Sequence, residues 1–151
     1  MMKKIIVTIT AVLFFITAFA TGNVETNIER SFQSEFPGAT HVTWIKIDNS
    51  DVYAVRFVYD REAMMAYFDK EGNYLAIVKS FLEEDLPVQV RRSFYKVNAS
   101  GALATIEQIQ MMGETSYLFV FKENGQKKVY QISEDGSIKL AKITDVHNSK
   151  R

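Results

Sequence analysis

Two short segments of this chain recur at one spacing, 64 residues apart. Tyr53-Ala54-Val55-Arg56-Phe57 aligns with Tyr117-Leu118-Phe119-Val120-Phe121. Phe68-Asp69-Lys70-Glu71-Gly72 aligns with Ile132-Ser133-Glu134-Asp135-Gly136. Two anchors at a single shift predict a tandem repeat, each copy one supersecondary unit. The residues around the anchors say what that unit is. Ile28, Phe32 and Phe36 fall at i, i+4 and i+8, the apolar stripe of a helix. Thr26 and Glu29 have the spacing of a capping box, and Pro37-Gly38 is a stop. Extended segments follow at 41–47, 52–59, 63–68 and 74–78, separated by turn chemistry at 48–51, 60–61 and 69–73. The order then returns. Asp85 can cap a second helix with Pro87 in its first turn, and Leu86, Val90 and Phe94 repeat the stripe. A loop at 98–101 leads to extended segments near 103–111, 116–122, 127–132 and 137–143, with Asn124-Gly125 as a hairpin signal. The expected fold is α+β, a tandem repeat of a helix packed on a four-stranded antiparallel sheet. The copies are expected at 21–82 and 83–146, before a polar tail at 147–151.

The first 20 residues read differently. Lys3 and Lys4 precede an uncharged apolar run from 5 to 19, and Ala18-Phe19-Ala20 is a small-x-small cleavage site. That order is a secretory signal peptide, with cleavage expected after Ala20. The apolar run is about 15 residues, short of the roughly 20 that span a bilayer. Cleavage would remove two of the 18 basic residues and none of the 18 acidic ones, leaving a net charge of −2. That balance excludes nucleic acid, whose phosphates require a basic face. With no cysteine in the chain there is no disulfide and no acylated-cysteine anchor, so the exported body must be held by packing. The expected location is a periplasm.

Strand alternation assigns the faces. In the second strand of each copy one face carries the aromatics, Tyr53, Val55, Phe57 and Tyr59, then Tyr117, Phe119 and Phe121. This face is expected under the helix. The other carries Arg56 and Lys122 and is expected to reach water. Val52, Ala54, Val58, Leu118 and Val120 share that second face. Apolar residues on an open sheet fit either a partner surface or unremarkable scatter.

Several of these segments resemble a known family. Phe36-Pro37-Gly38-Ala39-Thr40 leading to Val42 and Trp44, then Tyr53-x-Val55-x-Phe57, then Ala66-x-Phe68-Asp69-x-x-Gly72-x-x-Leu75, then Leu86-Pro87, look like the PepSY-like, β-lactamase-inhibitor-protein-like (BLIP-like) domains. These are common in exported proteins of Bacteroidetes. The resemblance implies a helix on a four-stranded antiparallel sheet, often in tandem. It implies inhibition of a hydrolase such as a β-lactamase only by analogy of fold. The namesake's paired cysteines are missing here, and the second half lacks an equivalent of residues 36–40 and a second Trp.

The residues carry no catalytic constellation. His41 and His147 are the only histidines and neither has a second His at ligand spacing, so no zinc site is expected. Asp48, Asn49 and Asp51 lack the bidentate Glu of a calcium loop and read as a turn. No cofactor and no enzymatic activity are expected. The candidate partner-binding residues are Trp44, Lys46, Asp48, Asp51 and Arg56. Two placements fit Trp44: the open face beside Arg56 as a binding anchor, or the helix end near Pro37 as core. The function these residues suggest is a non-enzymatic exported module that engages a protein or peptide through an open sheet face. The alternatives are a structural or self-associating envelope protein and, third, an inhibitor of a periplasmic hydrolase.

Overall fold

The computed structural model describes residues 24–97 and 102–145. The expected signal peptide, the 98–101 loop and the polar tail lie outside the described residues. Among the described residues the protein is α+β, with two helices and eight strands that pair antiparallel with their neighbours in the chain within each unit. The elements are α1 (Thr26–Glu35), β1 (Thr40–Lys46), β2 (Val52–Tyr59), β3 (Glu62–Asp69), β4 (Tyr74–Ser80), α2 (Val88–Val97), β5 (Ala102–Met111), β6 (Glu114–Glu123), β7 (Gln126–Ser133) and β8 (Ile138–Asp145). A 3-10 turn, Glu83–Asp85, precedes α2. The chain divides into two compact units, one ending at Leu75 and the other beginning at Ala76.

In the first unit, α1 buries Ile28 and Phe32 on the stripe read from the sequence. Phe32 is the hub. Its ring meets Phe57 edge-on at 4.9 Å, Trp44 edge-on at 5.4 Å and Phe36 at 5.6 Å. The capping box expected at Thr26 does not form. Ile28 and Glu29 both donate backbone N–H groups to the Glu25 carbonyl, so Glu25 holds the cap position and Thr26 lies inside the first turn. Pro37-Gly38 ends the helix as expected, with Gly38 in the left-handed region at φ 84°. β2 and β3 pair without interruption from Val52↔Asp69 to Tyr59↔Glu62. Asp60 and Arg61 both take positive φ at that tight turn, the conformation that matches strand twist.

The face opposite α1 departs from expectation. Ile45, Ala54 and Tyr67 form one cross-strand row and all three are buried, as is Val52. The row of Thr43 and Arg56 reaches water, with half-buried Met65 beside it, and so does the end row, where half-buried Val58 lies between exposed Thr40 and Ala63. A charged residue reports the exposure of its own row, and Arg56 sits two positions from Ala54. Exposure therefore changes from row to row along β2 and is not a property of the whole strand.

The second unit repeats the plan with a different count. Residues Ala76–Ser80 of β4 pair with Met111–Glu107 of β5, so this unit's sheet has five strands, not four. The second helix also starts later than expected. Asp85 falls in the 3-10 turn, Pro87 immediately precedes α2, and the Arg91 guanidinium donates to the Glu84 and Leu86 carbonyls. The stripe itself holds: Leu86, Val90 and Phe94 pack on Ile106, Tyr117, Phe119, Phe121 and Ile132. Phe94 stacks on Phe119 at 4.8 Å. On the other face Leu118, Val120 and Val129 are again buried, not open.

Glu107 lies on that second face, paired with Leu118. Burial pushes its carboxyl above the ordinary value, and the Lys127 charge only partly opposes this. A raised carboxyl means the folded state holds its proton to higher pH than the unfolded chain. Stability therefore falls as pH rises through the unfolded value, about 4.3, toward the folded one. Glu107→Gln is expected to raise the Tm at pH 7 and to leave it unchanged below about pH 4, where both states are protonated. A thermal melt at the two pH values checks this; an equal gain at both would assign the effect to something other than the charge.

Candidate functional site

The first unit opens a cleft between α1 and β1. Its origin is local. Pro37-Gly38 turns the chain sharply, so β1 runs back beneath the helix that precedes it. β1 is an edge strand of this unit: among the described residues it pairs only with β2. A bulge between Thr40 and Thr43, with His41 at φ 54°, breaks the regular ladder at its start. The cavity measures about 410 Å³. Phe32, Phe36, Val42 and Trp44 give its apolar lining, and Glu29 and Gln33 come from successive turns of α1. Val42 is 41% exposed and Trp44 half-buried, its ring also 6.2 Å from Phe68.

The structure separates the residues singled out from the sequence. Trp44 takes the placement against the helix, edge-on to Phe32, and still lines the cleft. Lys46 is exposed at the end of β1, its Nζ 5.9 Å from the centre of the Tyr53 ring. Asp48 is exposed in the β1–β2 turn. Asp51 accepts a hydrogen bond from Lys70 Nζ at 3.1 Å, and that bond holds the Lys70 ammonium above its ordinary range. Both partners are largely exposed, so the pair adds little to stability. Arg56 does not join Trp44. Trp44 is paired with Val55 while Arg56 is paired with Thr43, which puts them on opposite faces of the sheet.

Glu29, Gln33 and Val42 were missed as site residues. The signal existed, because 29, 33 and 36 flank Phe32 on one side of the helix. What no pattern revealed was that β1 would leave that side uncovered.

A second concavity, about 420 Å³, lies in the second unit near the β5–β6 and β7–β8 turns. Its lining includes Glu114, Ser116, Gln131, Ser133 and Asp135. Gln131, Ser116 and Asp135 are already paired. Gln131 Nε2 donates to Ser116 Oγ at 2.9 Å, and Asp135 accepts from the Ser137 N–H and hydroxyl, which holds its carboxyl below the ordinary value. Among the described residues no three His, Cys, Asp or Glu side chains gather to hold a metal ion. His41 is exposed and meets only its neighbour, with Nδ1 3.2 Å from Thr40 Oγ1. No described helix is long and apolar enough to cross a membrane.

Comparison with known proteins identifies the fold. A BLIP-like protein of Bacteroides fragilis superimposes with a TM-score of 0.70 at 17% identity, over 89% of this chain and 95% of that one. A DUF2874 family protein of Bacteroides ovatus gives 0.71 at 15% identity, over 84% and 91%. A protein of Bacteroides eggerthii provisionally described as periplasmic gives 0.71 at 12% identity, over 84% and 92%. The fold is therefore the BLIP-like fold, as the sequence resemblance implied. None of the three descriptions names an enzymatic activity. No family model matches the chain, and no curated protein matches it.

Proposed function

We propose that this chain is an exported, non-enzymatic binding module that takes up a segment of a partner protein or peptide at β1. The observation that carries the proposal is the cleft between α1 and the unpaired edge of β1, with Trp44 and half-exposed Val42 in its lining. An exposed strand edge offers backbone groups for an added strand, and pockets beside it select side chains. Trp44 is of the residue type that most often dominates binding energy. Lys46 lies two residues further along β1, and Asp48 and Asp51 lie in the turn beyond, where they would meet the rest of the partner. The signal-like first 20 residues and the provisionally periplasmic neighbour support a periplasmic location, with cleavage after Ala20. Val52, Ala54, Leu118 and Val120 on the sheet face are buried, so the strand edge and not that face is the interface.

Self-association is the second reading. Exposed Ile138 and Leu140 on β8 favour it. Hydrolase inhibition rests on likeness of fold alone. Capture from periplasmic extract by the immobilised mature chain tests all of these. Val42→Asp is expected to abolish capture and Arg56→Ala to preserve it. Capture unchanged by Val42→Asp would overturn the cleft as the interface. Recovery of the chain itself as the captured species would favour self-association.

A further inference from the structure

We infer that the side chain received by this cleft is basic, an arginine or a lysine borne on an extended segment of the partner; the inference rests on the cleft being the binding site. Among the described residues that line the cleft, Glu29 is the only charged one. It is exposed on the α1 wall, and Gln33 one turn later adds an amide that can donate or accept. The lining contributed by β1 and the helix end is apolar and aromatic: Val42, Trp44 and Phe36. That division matches a long cationic side chain, whose methylene stem lies on apolar surface while its head reaches a polar rim. The Trp44 ring adds attraction for a cation held near its face.

The alternatives fit less well. An acidic side chain would bring a like charge beside Glu29. A purely apolar one would strip water from that carboxylate without giving it a partner. Lys46 does not supply the missing charge, because it is not among the lining residues and its ammonium sits by the Tyr53 ring. An extended backbone follows from the edge: in a strand added to β1, alternate side chains point to the helix side, so one can enter the cleft while its neighbours turn away.

Trp44 is the only tryptophan in the chain, so its emission reports on the cleft without a label. The probes are three blocked pentapeptides, Thr-Val-X-Val-Thr, with Arg, Leu or Glu at X. The arginine peptide is expected to change Trp44 emission saturably and to bind at least about tenfold more tightly than the other two, the ratio expected of one charge-assisted hydrogen bond. Glu29→Gln, at an exposed helix position that the fold tolerates, is expected to erase most of that ratio. Equal binding of the arginine and leucine peptides, or an arginine preference untouched by Glu29→Gln, overturns the basic specificity and leaves the cleft a binding site. No response to any of the three at millimolar concentration overturns the cleft reading as well.

Discussion

Phe32→Ala is expected to lower the unfolding free energy by about 3–5 kcal/mol, the range for deleting a buried aromatic ring. Phe32 is 3% exposed, and its ring meets those of Phe36, Trp44, Phe57 and Phe68. Four aromatic partners bound the space it fills. They belong to the turn after α1 and to three different strands, so they cannot all collapse into the gap. For a domain held by about 5–15 kcal/mol the loss is about a fifth of the total or more. Urea denaturation measures it as a lower midpoint at unchanged slope. Trp44 emission should shift in the folded variant too, because the edge-on contact at 5.4 Å disappears. A loss below about 1 kcal/mol would show that the surrounding rings repack, and that Phe32 is not the hub.

Gly136→Ala and Gly72→Ala carry the second large effect. Both glycines sit at φ +86°, where a Cβ costs about 1–2 kcal/mol. Both also lie tight beneath a helix. A Cβ on Gly136 would stand 3.2 Å from the Gln89 carbonyl oxygen and 2.9 Å from Ser93 Oγ. On Gly72 it would stand 3.3 Å from the Asn27 carbonyl oxygen and 2.9 Å from Ser31 Oγ. The serine hydroxyls can rotate away, although Ser93 Oγ would give up its hydrogen bond to the Gly136 carbonyl. The carbonyls belong to helix backbone and cannot move alone. Overpacking of this kind adds about 1–3 kcal/mol. Gly113 supplies the control, at φ +81° with nothing within 4 Å of a built Cβ. Gly113→Ala should therefore lose only the backbone strain, and the difference between it and Gly136→Ala isolates the helix–turn contact. Equal losses at positions 113 and 136 would remove that contact from the account.

These glycines also show why the second pair of matching segments was legible. Gly72 and Gly136 belong to the second pair of anchors, and each lies against its own helix at matching places. Contacts that need one residue type leave that type in the sequence. The apolar stripes of both helices were legible for the same reason, since burial at i, i+4 and i+8 requires apolar side chains at that spacing. Boundaries were less legible. Thr26 and Asp85 both looked like caps, yet Glu25 and Pro87 precede the helices. Capping chemistry is similar for neighbouring polar residues, and which one caps depends on where packing sets the helix start.

Local periodicity and turn chemistry, which a linear pattern records, determined the α+β class, the helix stripes and the hairpin turns. The likeness to BLIP-like domains came separately, from the ordered motifs between Phe36 and Pro87. Only the tertiary structure decided the rest. It buried Ala54 and Leu118 on the face expected to be open, moved Ala76–Ser80 into the second unit's sheet, and placed Trp44 and Arg56 on opposite faces. It also left one side of α1 uncovered beside β1, which created the cleft. Periodicity says which residues share a face. It does not say what covers that face, because cover comes from residues distant in the chain.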